Sequence, residues 1–387
     1  MSQITRLLLA PARLSAHGPE LAHSIGVVVD DARVYWGECL FPAAADGPPA
    51  GHVLDVIAST LVGHSLSNFR ELCALLSAPD TAALERAETL IGAVQQALLA
   101  GVAATRQQTA AEALAEAYGF PAPPHAPLEV PIFLEISDFA ATAERIDQML
   151  ALRPAAVGYR LTGGQVAEAI GPNAEYLQRF VRELAGRIAT QADGQGGRPA
   201  IYLGLNGALG ELVGDPRRQL GQILGHCAGL QSAVGGLDLY LEDPFVLDDP
   251  VAQPALFHQL KDYCRRSSAF DKQPFLVARA AGRDHDSVTA YGDIGAVEGL
   301  VFDLAAGWSI DRLMTQLAAL RGAGVKAIIS HSSLELLPPH WSTTIANMAT
   351  VGATGLLLSH DHGADGQLAA VIRRIAEVSA WLGRDSA

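Results

Sequence analysis

What most constrains this chain is the pattern that begins at residue 130. Eight short apolar runs recur there: VPIFLEI (130–136), AVGYRL (156–161), AIYLGL (200–205), LDLYLED (237–243), PFLVAR (274–279), GLVFDL (299–304), KAIISHS (326–332) and GLLLSHD (355–361). Amphipathic stretches such as AEYLQRFVRELAGRI and IDRLMTQLAALRGAG separate them. Strands that alternate with helices build a parallel sheet. Eight such units over about 255 residues match a (β/α)8 barrel, which takes about 250. A doubly wound open sheet is the competing solution, but it has no reason to stop at eight. No GxGxxG follows the first strand of either part, which weakens a dinucleotide-binding reading.

The segment before the barrel has a different texture. PAPPHAP, residues 121–127, holds four prolines in seven positions and reads as a stiff linker. It divides the chain into an α+β capping domain over 1–125 and a barrel domain over 126–387. The opening MSQITRLLLAPARLSA reads as a first strand rather than a signal peptide, because Pro11 and Arg13 interrupt its apolar patch. GVVVDDARVYWGEC, residues 26–39, reads as a hairpin turning at Asp30-Asp31. A helical pattern over His52–Leu76 and one or two helices over Ala82–Tyr118 follow.

Composition narrows the function classes. Hydrophobic residues make up 49% and charged ones 18%, which excludes intrinsic disorder. Cys39, Cys73, Cys227 and Cys264 are far apart and form no CxxC, so they read as buried thiols of a reducing cytosol rather than a zinc site. The net charge is −14 and no Lys/Arg run exists, so no nucleic-acid partner is expected. No apolar run of about 18 residues appears, so no membrane partner is expected and the protein reads as cytoplasmic.

A barrel carries its chemistry at the C-terminal ends of its strands. Those ends hold Glu135, Arg160, Asn206, Glu242 with Asp243, Arg279, Asp303, His331 with Ser332 and Ser333, and His360 with Asp361 and His362. Each alone also reads as a loop start or a helix cap; the ring together reads as an active site. His331 and His360, with intrinsic pKa values near neutrality, and the acids Glu135 and Asp303 are the candidate acid–base groups. Arg160, Arg279, Glu242, Asn206, Ser332 and Ser333 are the candidate substrate contacts. His360-Asp361-His362 has the residue types of a metal cluster, but strand alternation turns Asp361 away from the two histidines and no third ligand is apparent. No metal and no cofactor are therefore expected.

The layout and several motifs resemble the enolase superfamily and, within it, the methylaspartate ammonia-lyases. LVGHSLSNFRELCALL (61–76) resembles that family's long N-terminal helix, and Gln96–Tyr118 its second helical region. VGYRLTGGQVAEAIGPNAEYLQRFVRELAGRI (157–188) lies on the family without a gap, and LYLEDP (239–244) resembles the strand bearing a metal-binding glutamate. The resemblance implies three acidic Mg2+ ligands, a lysine base on the sixth strand and a histidine on the second. Here the third-strand ligand position is Gly204, the fourth keeps Glu242, and the fifth is Arg279. The lysine position falls on Leu304, the histidine on Arg160, the first-strand glutamine on Glu135 and the seventh-strand Thr-Cys pair on Ser332-Ser333. No lysine lies between Lys272 and Lys326.

These departures imply that the ancestral ammonia-lyase reaction is absent. Arg279 is expected to occupy the metal's place and pair with Glu242, either as an anion site or as a structural ion pair. Two readings follow. One is a metal-independent lyase or isomerase, of carbon–nitrogen or carbon–oxygen type, acting on a small anionic substrate such as an amino acid or a coenzyme precursor, with one-carbon coenzyme synthesis as one setting. The other is a catalytically silent relative that binds a ligand or partner protein. The resemblance also implies a homodimer.

Overall fold

The computed structural model describes residues 2–12, 20–42, 50–77, 87–123, 131–136, 143–151, 153–161, 174–191, 198–210, 216–245, 251–280, 285–303, 309–331, 348 and 351–360. The chain opens with β1 (Ile4–Ala12), β2 (Glu20–Val29) and β3 (Arg33–Pro42), an antiparallel sheet in that order. Asp30 and Asp31 take φ of 52° and 54° at the β2–β3 turn, the left-handed pair that matches hairpin twist and that aspartate tolerates. Asp30 also accepts the Gln3 amide at 2.8 Å, which ties the turn to β1.

Helices pack on this sheet. The pattern expected as one helix over His52–Leu76 is two, α1 (Ala50–Leu61) and α2 (Phe69–Leu76). Gly63, at φ 93°, breaks the chain, and the Asn68 side chain accepts the Arg70 and Glu71 amides to start α2 afresh. The Ala82–Tyr118 stretch likewise divides into α3 (Ala87–Arg106) and α4 (Ala110–Tyr118), with left-handed Gln107 at the break and a Thr109/Glu112 capping box restarting the helix. Val94, Leu98 and Val102 are buried along one stripe of α3. Residues 124–130, most of the proline-rich stretch, lie outside the described residues.

The eight apolar runs become eight strands: β4 (Ile132–Ile136), β5 (Ala156–Arg160), β6 (Ala200–Gly204), β7 (Leu239–Glu242), β8 (Phe275–Arg279), β9 (Gly299–Asp303), β10 (Lys326–His331) and β11 (Gly355–His360). All pair in parallel, and β11 closes on β4. The described helices between them are α5 (Ala143–Ala151), α6 (Ala174–Gln191), α7 (Pro216–Ala233), α8 (Gln253–Arg266), α9 (His285–Asp293) and α10 (Ile310–Leu320). An enolase-like fold results: a closed (β/α)8 barrel preceded by a small antiparallel sheet with its own helices.

Strand alternation divides the core in two. Phe133, Ala156, Ala200, Tyr202, Tyr240, Val277, Val301, Ile328 and Leu357 fill the barrel interior, while the alternate residues pack outward on the helices. Tyr240 stacks on Phe275 at 4.7 Å and on Tyr202 at 6.0 Å, so aromatic rings carry much of the inner packing. The N-terminal helices meet the barrel at the start of α10. The Tyr118 hydroxyl donates to Asp311 Oδ1 at 2.5 Å, the Asp311 amide donates to Gln95 Oε1 at 3.2 Å, and Arg312 pairs with Glu88 at 3.2 Å. All four cysteines are buried and free, and burial pushes the Cys39 and Cys264 thiols up to about 12. Among the described residues, no helix is long and apolar enough to cross a membrane.

Barrel closure depends on backbone proximity at Gly158, where an added Cβ would fall 1.6 Å from the Tyr202 carbonyl oxygen. The neighbour is backbone and cannot rotate away. Gly158→Ala is therefore expected to lower unfolding free energy by about 3 kcal/mol, measured by urea denaturation. A loss under about 0.5 kcal/mol, the ordinary surface range, would show that the strands have room to part.

Candidate active site

The inward positions at the C-terminal strand ends are Glu135, Arg160, Gly204, Glu242, Arg279, Asp303, Ser330 and Ser359, each continuing the alternation of the barrel lining below it. Four of these, from β4, β5, β7 and β8, form one ionic network centred on Glu242. The Glu242 side chain is fully buried. Arg160 grips it with both terminal nitrogens, Nη1 to Oε1 at 2.7 Å and Nη2 to Oε2 at 2.9 Å. Arg279 Nε donates to Oε1 at 2.7 Å, and the Tyr202 hydroxyl donates to Oε2. Arg160 also holds Glu135, through Nη2 at 3.1 Å and through Nε.

Two carboxylates and two guanidiniums thus compensate one another in a buried place. Bidentate guanidinium–carboxylate pairing supplies the direction and strength that desolvated charges require. Burial alone would raise the Glu242 pKa, yet Arg160 and then Arg279 outweigh it and hold the carboxyl far below the usual glutamate range. Burial and the adjacent Glu242 carboxylate push the Tyr202 hydroxyl well above its ordinary value, so it stays a donor.

Glycine at 204 makes the arrangement possible. A Cβ there would lie 2.9 Å from Arg160 Cζ, 3.0 Å from its Nη1 and 3.0 Å from Glu135 Oε1. The Arg160 guanidinium fills the space that a side chain at 204 would enter. The flanking loops reinforce it. Asn206 and Asp243 both sit at left-handed φ, 47° and 44°, which asparagine and aspartate tolerate better than most residues. Asn206 Oδ1 accepts from Arg160 Nη1 at 3.4 Å, and its Nδ2 donates to the Leu161 carbonyl. Asp243 Oδ1 accepts the Arg279 amide at 3.1 Å.

The structure therefore brings Glu135, Arg160, Asn206, Glu242 and Arg279 together. Arg160, expected as a substrate contact, is engaged by two carboxylates, and Glu135, expected as an acid–base group, accepts from Arg160. Asp303, His331 and His360 are placed by their backbone. Asp303 takes the inward alternation position of β9, whereas His331 takes that of Ala327 and Ile329 and His360 that of Leu356, the helix-facing set. Ser332, Ser333, Asp361, His362 and Leu304 lie outside the described residues. Sequence reasoning passed over Tyr202 and Ser330. Counting by twos from Gly204 along AIYLG, or from Ile328 along KAIISH, finds both.

The fold and the polar ring at its strand ends define the class, an enolase-like barrel protein with one mouth. No family model matches the chain. It is 29% identical over 185 residues to methylaspartate ammonia-lyase 2 of Carboxydothermus hydrogenoformans, a match that takes in 48% of this chain and only 42% of that relative's length. The β-methylaspartase of Clostridium tetanomorphum, solved as a Mg complex, superposes with a TM-score of 0.73 at 17% identity, covering 99% of both chains. The Citrobacter amalonaticus methylaspartate ammonia-lyase containing (2S,3S)-3-methylaspartic acid gives 0.74 at 17% identity, covering 98% of this chain and 99% of that one. The described residues share the fold of these two proteins.

The network predicts a specific response to acid. A carboxyl held below its unfolded value contributes stability above that value, and the contribution disappears as pH falls toward the folded one. Glu242 should thus cost the protein stability progressively below about pH 4.3, the ordinary glutamate pKa. Glu242→Gln leaves two guanidiniums undercompensated, with an expected loss of about 3–5 kcal/mol at neutral pH and a shallower acid limb in denaturant titrations. A neutral-pH loss below about 1 kcal/mol would show that the network is not a compensated buried unit.

Proposed function

We propose that this chain is a metal-independent lyase or isomerase of the enolase-like class that acts on a small carboxylate. In this reading residues 1–125 cap a barrel over 126–387, and the protein works as a cytoplasmic homodimer. The observation that carries it is the occupation of the Glu242 carboxylate by Arg160, Arg279 and Tyr202.

Mg2+ holds near-octahedral oxygen coordination and gives up its waters reluctantly. The residues present do not fit it. Position 204 offers no donor, Arg279 adds a cation, and both Glu242 oxygens already accept hydrogen bonds. Proton removal next to a carboxylate builds up negative charge that must be stabilised. Here fixed guanidiniums supply the positive field, the Arg160 and Arg279 side chains being 16% and 13% exposed. We assign proton transfer to Asp303, because its backbone holds the inward position of β9, while His331 and His360 hold helix-facing ones.

A second reading, a silent relative that only binds, is favoured by the self-compensation of the four charges and by the absence of any lysine between Lys272 and Lys326.

Deuterium exchange distinguishes them. Small carboxylates are incubated with the protein in D2O containing EDTA and followed by proton NMR. The enzyme reading expects exchange at the carbon next to a carboxylate, unchanged by Mg2+ and reduced about 10²–10⁴-fold in Asp303→Asn. Exchange that requires Mg2+ would overturn the metal-independent reading, and saturable binding without exchange would support the silent one. No ammonia release from 3-methylaspartate is expected; turnover near about 10 per second, an ordinary enzyme value, would contradict the assignment.

A further inference from the structure

β3 is an edge of the N-terminal sheet, and its outer main chain is covered at one residue. Gln96 of α3 donates from Nε2 to the Glu38 carbonyl at 3.1 Å, and its Oε1 accepts the Glu38 amide at 3.3 Å. The Glu38 main chain therefore points away from β2. The β2–β3 register runs without a shift from Arg33 to Pro42, so the N–H and C=O groups of Val34 and Trp36 point the same way. Among the described residues those groups have no partner. Ala100 and Ala104 follow Gln96 on the same face of α3; both are exposed, and their side chains are too short to repeat its cover. The opposite edge is protected: the Ile4 amide donates to the His64 carbonyl at 3.0 Å, and Pro11 interrupts the donors of β1 further along. The outer face beside the open stretch is apolar. Val34 and Trp36 are each 38% exposed and lie across β2 at Gly26, where a Cβ would fall 2.9 Å from Val34 Cγ1 and 3.0 Å from Trp36 Cζ3. Arg33 precedes this stretch and Glu38 follows it.

We propose that this edge pairs with the β3 edge of a second copy of the chain, antiparallel about a twofold axis at Tyr35. The proposal rests on the homodimer reading above and gives it a surface. In this register Val34 of each copy opposes Trp36 of the other, and the two residues exchange their open N–H and C=O groups. A slip of two residues toward Glu38 would need the groups that Gln96 already occupies. The Val34 and Trp36 side chains of both copies then meet on one face, the cross-strand aliphatic–aromatic pairing that stabilises sheets. The two ends of the stretch carry opposite charge, so antiparallel pairing sets each Arg33 beside the other copy's Glu38, whereas parallel pairing would set like charges together. Each three-stranded sheet becomes half of a continuous six-stranded one, and the exposed edge is removed.

Sedimentation velocity on the full chain over micromolar concentrations tests this. The wild type is expected to sediment as a dimer. Trp36→Lys places two unpaired ammonium groups in the joined face and is expected to weaken self-association about 100-fold or more. Ala100→Arg, at an exposed helix position, sets a long charged side chain over the open edge and is expected to do the same. Ile294→Lys, which removes a comparably exposed apolar residue far along the barrel, is expected to leave the dimer intact. Circular dichroism checks that each variant folds, and if Trp36→Lys does not, Ala100→Arg decides. Hydrogen exchange supplies a second readout: the Val34 and Trp36 amides are expected to exchange more slowly in the dimer than in the Ala100→Arg variant. A dimer that persists in the folded edge variants, or exchange at these amides that is equally fast in both, overturns the β3 surface and leaves the homodimer reading standing. A wild type that stays monomeric sinks the homodimer reading and this proposal with it, and leaves the edge to a strand from a different protein.

Discussion

A carboxylate buried at the C-terminal end of a barrel strand must be compensated, and Glu242 is compensated by two arginines from different strands. That requirement organises the mouth. Arg160 reaches Glu242 from β5 across β6, and it can do so because residue 204 of the intervening strand has no side chain. Arg279 reaches it from the adjoining β8. The Tyr202 hydroxyl completes the shell from below, and its ring belongs to the aromatic packing that fills the barrel. One charge thus links site geometry to core packing.

The same logic explains why these residues form a set. An arginine at 160 needs the space at 204 and the second carboxylate at 135. An arginine at 279 repels a cation beside Glu242 and takes one of its lone pairs. Removing any one of the four charged residues would leave a buried charge undercompensated, at a cost of several kcal/mol. Together they give a region of near-zero net charge. A fixed guanidinium differs from a metal in one chemical respect that matters here: it stabilises an anion by directed hydrogen bonds and cannot activate a coordinated water.

Much of this was legible in the sequence. The eight apolar runs with amphipathic stretches between them became eight barrel strands, because buried parallel strands must be continuously apolar. The Asp30-Asp31 turn was also legible. The breaks inside the two N-terminal helical patterns were not, since apolar spacing runs on through Gly63 and Gln107 while the caps at Asn68 and Thr109 decide where the helices restart. Within the site, opposite charges at the ends of β7 and β8 gave the Arg279–Glu242 pair. The reach of Arg160 was not readable, because it depends on the emptiness of a residue on the strand between. Parity was the neglected signal: counting by twos from the barrel lining separates Asp303 and Ser330 from His331 and His360.

The central claim is that guanidinium groups, not a divalent cation, neutralise Glu242. Mn2+ shares the preference of Mg2+ for oxygen ligands and reports its own binding by electron paramagnetic resonance. Titrating the wild-type protein into Mn2+ should leave the free-ion six-line spectrum at full intensity. Loss of that signal at stoichiometric protein, reversed by added Mg2+ and abolished in Glu242→Gln, would place a metal beside Glu242 and contradict the account.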